Sequence, residues 1–353
     1  MNWLLFFVPL ALLLQIFQRP ALTPYIFLAA ALAVIPLAGM IGDTTEILAE
    51  RVGATLGGLL NATFGNATEL IIALFALHAG LFDVVKASIS GSIISNILLV
   101  LGASMFAGGL RHETQRFNRT HAGASAAMLF LAVAALVMPA VFTLVKYGNL
   151  NVTTNRAPLP LLSLLVAIVL LLIYAANLIF SLKTHRMILA PAPEVSVVTG
   201  GTLSARHAGL LLLLATLFTA GMSELLVRTI SGATHALHMT NFFVGIVVVA
   251  IIGNAAEHFS AIALARKNKM DAAVTIATAS STQVALFVAP VLVFVSFLLG
   301  RPMSLVFNPF EITGIVLAVT ILSVVSLDGE SNWFEGLQLL AVYAVLAIVF
   351  FFV

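Results

Sequence analysis

Two pentapeptides hold the residues best able to do chemistry. Gly65-Asn66-Ala67-Thr68-Glu69 recurs 188 positions on as Gly253-Asn254-Ala255-Ala256-Glu257, each copy inside a long apolar run. Each copy puts a carboxylate where a membrane helix would normally exclude one, shortly after a glycine that weakens the helix. Ionisable groups at membrane depth are expensive, so each is by default a candidate functional group. Finding the same costly arrangement twice points to a transporter with two structural halves and one ion site between them.

Read as one helix, Asn66 and Glu69 are three apart and share a face, as do Asn254 and Glu257. A loosened backbone at the glycines would offer carbonyl oxygens to a cation. The helices that follow add Ser92, Ser95 and Asn96, then Ser280, Ser281, Thr282 and Gln283. Carboxylates, amide oxygens and hydroxyls make a hard-cation shell, and calcium accepts about 6–8 such oxygens. Zinc or copper would call for histidine or cysteine clusters. The chain has no cysteine, and His258 stands alone beside Glu257. Two ionised glutamates neutralise one divalent ion. Once it leaves, they repel each other in a poorly solvated site, which favours protonation of the pair as a unit. Metal and protons would then occupy the site in turn.

Composition supplies the setting. The chain is 61% hydrophobic and 8% charged, with a mean hydropathy of +1.14, far outside the soluble range. No basic run or RNA-type aromatic motif supports nucleic-acid binding. The apolar runs define eleven candidate helices, at about 3–17, 22–50, 57–79, 84–108, 121–145, 159–182, 207–232, 241–265, 271–299, 309–327 and 335–353. The first reads as a retained span rather than a cleaved leader. The loops on the N-terminal side hold ten basic residues against six opposite, which predicts a cytoplasmic N-terminus.

The 188-residue offset also pairs Asp83 with Asp271 and Ser92 with Ser280, while Glu46 pairs with Glu224 after a shift. The expected fold is an all-α polytopic membrane protein of about eleven transmembrane helices, with two five-helix repeats after a first extra helix. An odd number of spans per repeat inverts the second, an arrangement that places substrate near the midplane between halves. The expected boundaries are a first helix at 1–20, repeats at 21–188 and 207–353, and a short cytoplasmic linker at 189–206. Glu69 and Glu257 are the metal and proton carriers, with Asn66, Asn254, Gln283, Ser92 and Ser280 as further cation-binding candidates. Glu46, Glu224 and His258 are candidates for a gate or proton path. Asp83 and Asp271 are expected to cap the starts of their helices. Asp328, Glu330 and Glu335 are expected to be solvated in the last loop.

GNATELI at 65–71, GSIISNILLVLG at 91–102, GNAAEH at 253–258, SSTQVALF at 280–287 and DGESNWFEG at 328–336 resemble the calcium/cation–proton antiporters. The resemblance covers nearly the whole chain. It implies eleven helices, a cytoplasmic N-terminus and calcium export against inward proton flow, with Glu69 and Glu257 as principal carriers. Two departures stand out: eukaryotic members have an N-terminal regulatory extension whereas this sequence begins almost at its first span, and Leu189 to Ala205 contains only Glu194 where many members have an acidic run. The compact length looks prokaryotic, which implies the cell (inner) membrane. The expected partners are Ca2+, H+ and the lipid bilayer, with no nucleic acid, no cofactor and self-association left open. Sodium- or potassium-driven calcium exchange and a cation channel are the alternatives. A hydrolase is disfavoured because the HExxH and GxSxG motifs are missing.

Overall fold

A computed structural model of the chain describes residues 2–17, 19–150, 156–184 and 203–353. Most of the expected 189–206 linker lies outside the described residues, as do Arg186 and Glu194. The helices are α1 (Phe7–Ile16), α2 (Thr23–Val52), α3 (Ala54–Phe64), α4 (Ala67–His78) and α5 (Phe82–Ile94). A π-helical turn, Ser95–Val100, joins α5 to α6 (Leu101–Gly109). Then come α7 (Arg119–Tyr147), α8 (Leu159–Ile179), α9 (Ala205–Leu237), α10 (Asn241–Gly253) and α11 (Ala255–Ala265). A second π turn, Val284–Val288, joins α12 (Met270–Gln283) to α13 (Ala289–Leu298); α14 (Pro309–Val325) and α15 (Trp333–Phe351) complete the chain.

Every expected span coincides with helix, yet length and composition single out fewer crossings. Among the described residues seven helices are long and apolar enough to cross a membrane, or eight if the bent pair α10–α11 is one span. Three others, Trp3–Ile16, Ala67–His78 and Pro309–Val325, are apolar but short. Two of the missing crossings are simply short helices, Trp3–Ile16 and Pro309–Val325, and the other two arise where the sequence pattern runs on but the helix breaks. The chain bends by 58° between α10 and α11, and α3 and α4 are separate helices where one continuous span was expected.

The chain divides into two compact units. One comprises Met1–Ser88, Glu194–Glu257 and Val353; the other comprises Ile89–Pro193 and His258–Phe352. Each therefore draws on both sequence repeats. The first unit is built on α2 packed along α9. The contact side of α2 is rich in small residues, with Ala29, Ala30, Ala33 and Val34 all buried, and α9 buries Ala208, Ala215, Leu226 and Ala233. Lipid tails are as apolar as leucine, so close packing of small side chains holds such helices together.

The second unit is tied at one end by its loops. The Gln115 side-chain amide donates to the Ala265 carbonyl at 2.8 Å and to Asn268 Oδ1 at 3.1 Å. Gln115 and Arg116 (β1) pair antiparallel with Glu330 and Ser331 (β2), a two-residue departure from an all-helical chain. Glu330 is thus not simply solvated, for it meets Arg116 Nε at 3.1 Å. Asp271 lies in the first turn of α12 but does not cap it; its Oδ1 accepts the Asn118 backbone N–H at 2.9 Å. Asp83, in the first turn of α5, pairs with Lys86 at 3.2 Å.

Helices α6 and α15 meet at glycines. A Cβ on Gly336 would lie 2.6 Å from the Gly102 carbonyl oxygen and 2.8 Å from the Met105 carbonyl carbon, all backbone that cannot step aside. Overpacking of this kind costs about 1–3 kcal/mol. Gly336→Ala is therefore expected to lower the unfolding midpoint of purified protein in detergent by several degrees. Gly209→Ala, in open space, should leave it within about a degree.

Candidate functional site

The two duplicated motifs sit at chain breaks. Asn66, with φ −104° and ψ 24°, stands between α3 and α4, and Asn254, with φ −94° and ψ 8°, stands between α10 and α11. Each asparagine thus precedes a new helix instead of sharing one with its glutamate, which corrects the common-face expectation. Glu69 and Glu257 become the third residues of α4 and α11. The first N–H groups of a helix lack intrahelical acceptors, and its macrodipole is positive there, so both carboxylates stand where a helix favours negative charge. The Asn66 carbonyl begins the ladder of α4 by accepting the Leu70 N–H at 3.0 Å. Asn254 donates its side-chain amide back to the Ala250 carbonyl at 2.9 Å. That bond turns its amide oxygen away from α10.

The structure brings the two glutamates together within the first unit. Their carboxylates are close enough to act on one another electrostatically. Gly253 lies directly against Glu69, where an added Cβ would be 2.9 Å from Cγ and 3.6 Å from the carboxyl carbon. Without a Cβ at 253 the second motif lies this close to the first acid, and an alanine there would push the Glu69 side chain aside. Asn66 is fully buried, Asn254 is 1% exposed and Glu69 4% exposed, whereas Glu257 is partly open. Neither Glu69 carboxylate oxygen has a hydrogen-bond partner on another described residue.

A second buried glutamate shows how unusual that is. Glu311, at 2% exposure, was not anticipated from the sequence, though Asn308-Pro309-Phe310-Glu311 has the form of a capping box. Its Oε2 accepts the Asn308 N–H at 2.7 Å, while Asn308 Oδ1 accepts the Glu311 N–H at 2.9 Å. Its Oε1 accepts from Ser90 Oγ at 3.2 Å. Glu311 is saturated and structural. Glu69, equally buried, is left with its oxygens available to an ion.

The remaining candidates divide between the two units. Ser92, Ser280, Gln283 and His258 belong to the second unit. There the Asn96 side-chain amide donates to Ser280 Oγ at 2.9 Å, an inter-helix bond. Ser281 and Thr282 turn their hydroxyls onto carbonyls of their own helix, at 2.9 and 2.8 Å. His258 is buried, and its Nε2 has no hydrogen-bond partner among the described residues. In the first unit Glu46 is half-buried, and Glu224 is ion-paired with Arg228 one turn on. Among the described residues no group of three or more His, Asp or Glu side chains converges on one point.

Comparison with known proteins places the chain in a family. The family described as "Sodium/calcium exchanger protein" matches residues 22–183 and 207–352. The chain belongs to that family. It falls in the calcium/cation–proton antiporter branch, among transporters rather than enzymes. A Ca(2+)/H(+) antiporter of Aphanothece halophytica is 45% identical, over 99% of this chain and 95% of its own. The Ca(2+)/H(+) antiporter ChaA of Bacillus subtilis strain 168 is 43% identical, over 98% and 96%. The solved structure of native YfkE superposes with a TM-score of 0.84 at 40% identity, covering 98% of this chain and 97% of that one.

Gly253 gives a direct handle on Glu69. Gly253→Ala is expected to displace the Glu69 side chain and weaken divalent-cation binding by tenfold or more, measured calorimetrically on purified protein. The same replacement at exposed Gly221, which has nothing within 4 Å, should leave affinity unchanged.

Proposed function

We propose that this protein exchanges Ca2+ for H+ by alternating access to the Glu69–Glu257 pair. The observation that carries this reading is the meeting of two acids, one from each repeat, with Glu69 buried and without a hydrogen-bonding neighbour. Like charges that share a poorly solvated site repel one another, and each is poorly hydrated there. An empty doubly ionised pair is therefore a poor resting state. A divalent cation cancels both charges, and protons do the same one at a time. Ca2+ can leave as protons enter, and the reverse. Release with neither partner restores the repulsion, which suppresses uncoupled leak.

Asn66 and Asn254 supply amide oxygens beside the acids, and the helix breaks supply main-chain carbonyls of the kind calcium accepts. The identity with proteins named Ca(2+)/H(+) antiporters supports the choice of ions. The excess of basic residues on the N-terminal side supports a cytoplasmic N-terminus. With eleven spans in the cell membrane, the direction would be calcium export driven by inward proton flow.

Everted vesicles carrying the protein test the coupling. An imposed pH gradient, with sodium and potassium absent, is expected to drive calcium uptake. Glu69→Gln and Glu257→Gln should each reduce it to background while the protein still inserts. Uptake that requires sodium or potassium, or that ignores the gradient, would refute the exchange proposed. A second expectation concerns competition. Acidifying both faces should raise the calcium concentration for half-maximal uptake, by up to about 100-fold per pH unit where both carboxylates must deprotonate together. A half-saturation value constant across pH would exclude a shared site.

A further inference from the structure

The second unit has a groove on its outer surface, apart from the glutamate pair. It has a volume of about 480 Å³ and lies between α7 and the end of α14. Small residues on α7 hollow it out: Gly123 has nothing within 4 Å of its missing Cβ, and Ala127 follows one turn later. Leu131 closes the far end, and Arg119, the first residue of α7, stands at the near end. Twelve helical residues separate Arg119 from Leu131, a rise of about 18 Å. One leaflet of a bilayer's hydrocarbon core is about half of 30 Å. The groove's length thus matches roughly one leaflet.

Its walls ask for nothing polar. On α14, Ser323 Oγ already donates to the Val319 carbonyl at 2.9 Å, and at the helix end Ser326 Oγ donates to the Leu322 carbonyl at 2.8 Å. Its mouth asks for an anion. Arg119 is exposed and has no ion-pair partner among the described residues, whereas nearby Arg116 is held by Glu330. Asp271 takes up the Asn118 N–H at the start of α7, so the free positive charge is the Arg119 guanidinium rather than the helix end. A comparable groove of about 400 Å³ on the other side of α7, lined by Ala124, Met128 and Ile173, has no charged residue.

The geometry points to an anionic phospholipid as the occupant of the Arg119 groove, its phosphate on the guanidinium and one acyl chain along Gly123, Ala127 and Leu131. Basic pockets between transmembrane helices select anionic headgroups by this complementarity. The neutral groove beside α8 takes lipid without regard to headgroup charge.

Native mass spectrometry of the full chain, exchanged into equal phosphatidylglycerol and phosphatidylcholine, tests this. Wild type is expected to retain phosphatidylglycerol over phosphatidylcholine by about fivefold. Arg119→Gln should abolish the preference and Arg119→Lys restore it. Ala127→Trp should lower retention of both lipids, while Ala124→Trp, in the neutral groove, keeps the preference. An unchanged preference in Arg119→Gln would overturn the assignment. So would efficient disulfide cross-linking of Ala127→Cys between two copies in membranes, which would mean that a second chain covers the groove. Because the sequence contains no cysteine, that cross-link has a single origin.

Discussion

Glu69 is a carboxylate enclosed by an apolar helical bundle, with no neighbouring side chain or loop donating to either oxygen. An uncompensated buried charge costs several kcal/mol, more than most single contacts return. A fold that keeps such a group must gain something when an ion arrives. Glu311 marks the alternative: at similar burial it is held by Ser90, by the Asn308 backbone and by its own capping box. The chain can therefore satisfy a buried glutamate where structure is the purpose, and it does not do so at residue 69.

The local backbone follows from that constraint. Breaks at Asn66 and Asn254 set each acid in the first turn of a fresh helix, where unpaired N–H groups and the macrodipole favour negative charge. Irregular backbone at membrane depth is tolerated only where protein or a cavity encloses it, and both asparagines are buried. Gly253 lets the second break lie against Glu69 itself. The pair is nonetheless unequal, since Glu257 is partly open while Glu69 is closed off.

Much of this was legible in the sequence because the membrane restricts what a chain may contain. Runs of leucine, valine and alanine outline all the helices, and a glutamate inside such a run is conspicuous. Where the runs are interrupted only by geometry, the pattern misleads. Nothing in the hydropathy of 241–265 shows that the helix turns by 58° at Asn254, since a bend needs no polar residue. Asp271 looked like a cap for its own helix, but tertiary packing delivered the Asn118 N–H to it instead. Ser280, a plausible ligand by type, is engaged by Asn96, a partner set by the packing of α12 against the turn after α5. Glu311 had a local signal in its capping box, whereas its partner Ser90, 221 residues away, had none.

The π turns reach further back. The turn at Ser95–Val100 and the turn at Val284–Val288 fall almost in register under the same 188-residue offset that relates the two motifs. Such a turn is a helix carrying one residue too many, bonded i to i+5. Removing that residue would rotate everything downstream by about 100° about the axis. The π turn at Val244–Val249 has no such counterpart, since the stretch of α3 at the same offset is regular helix.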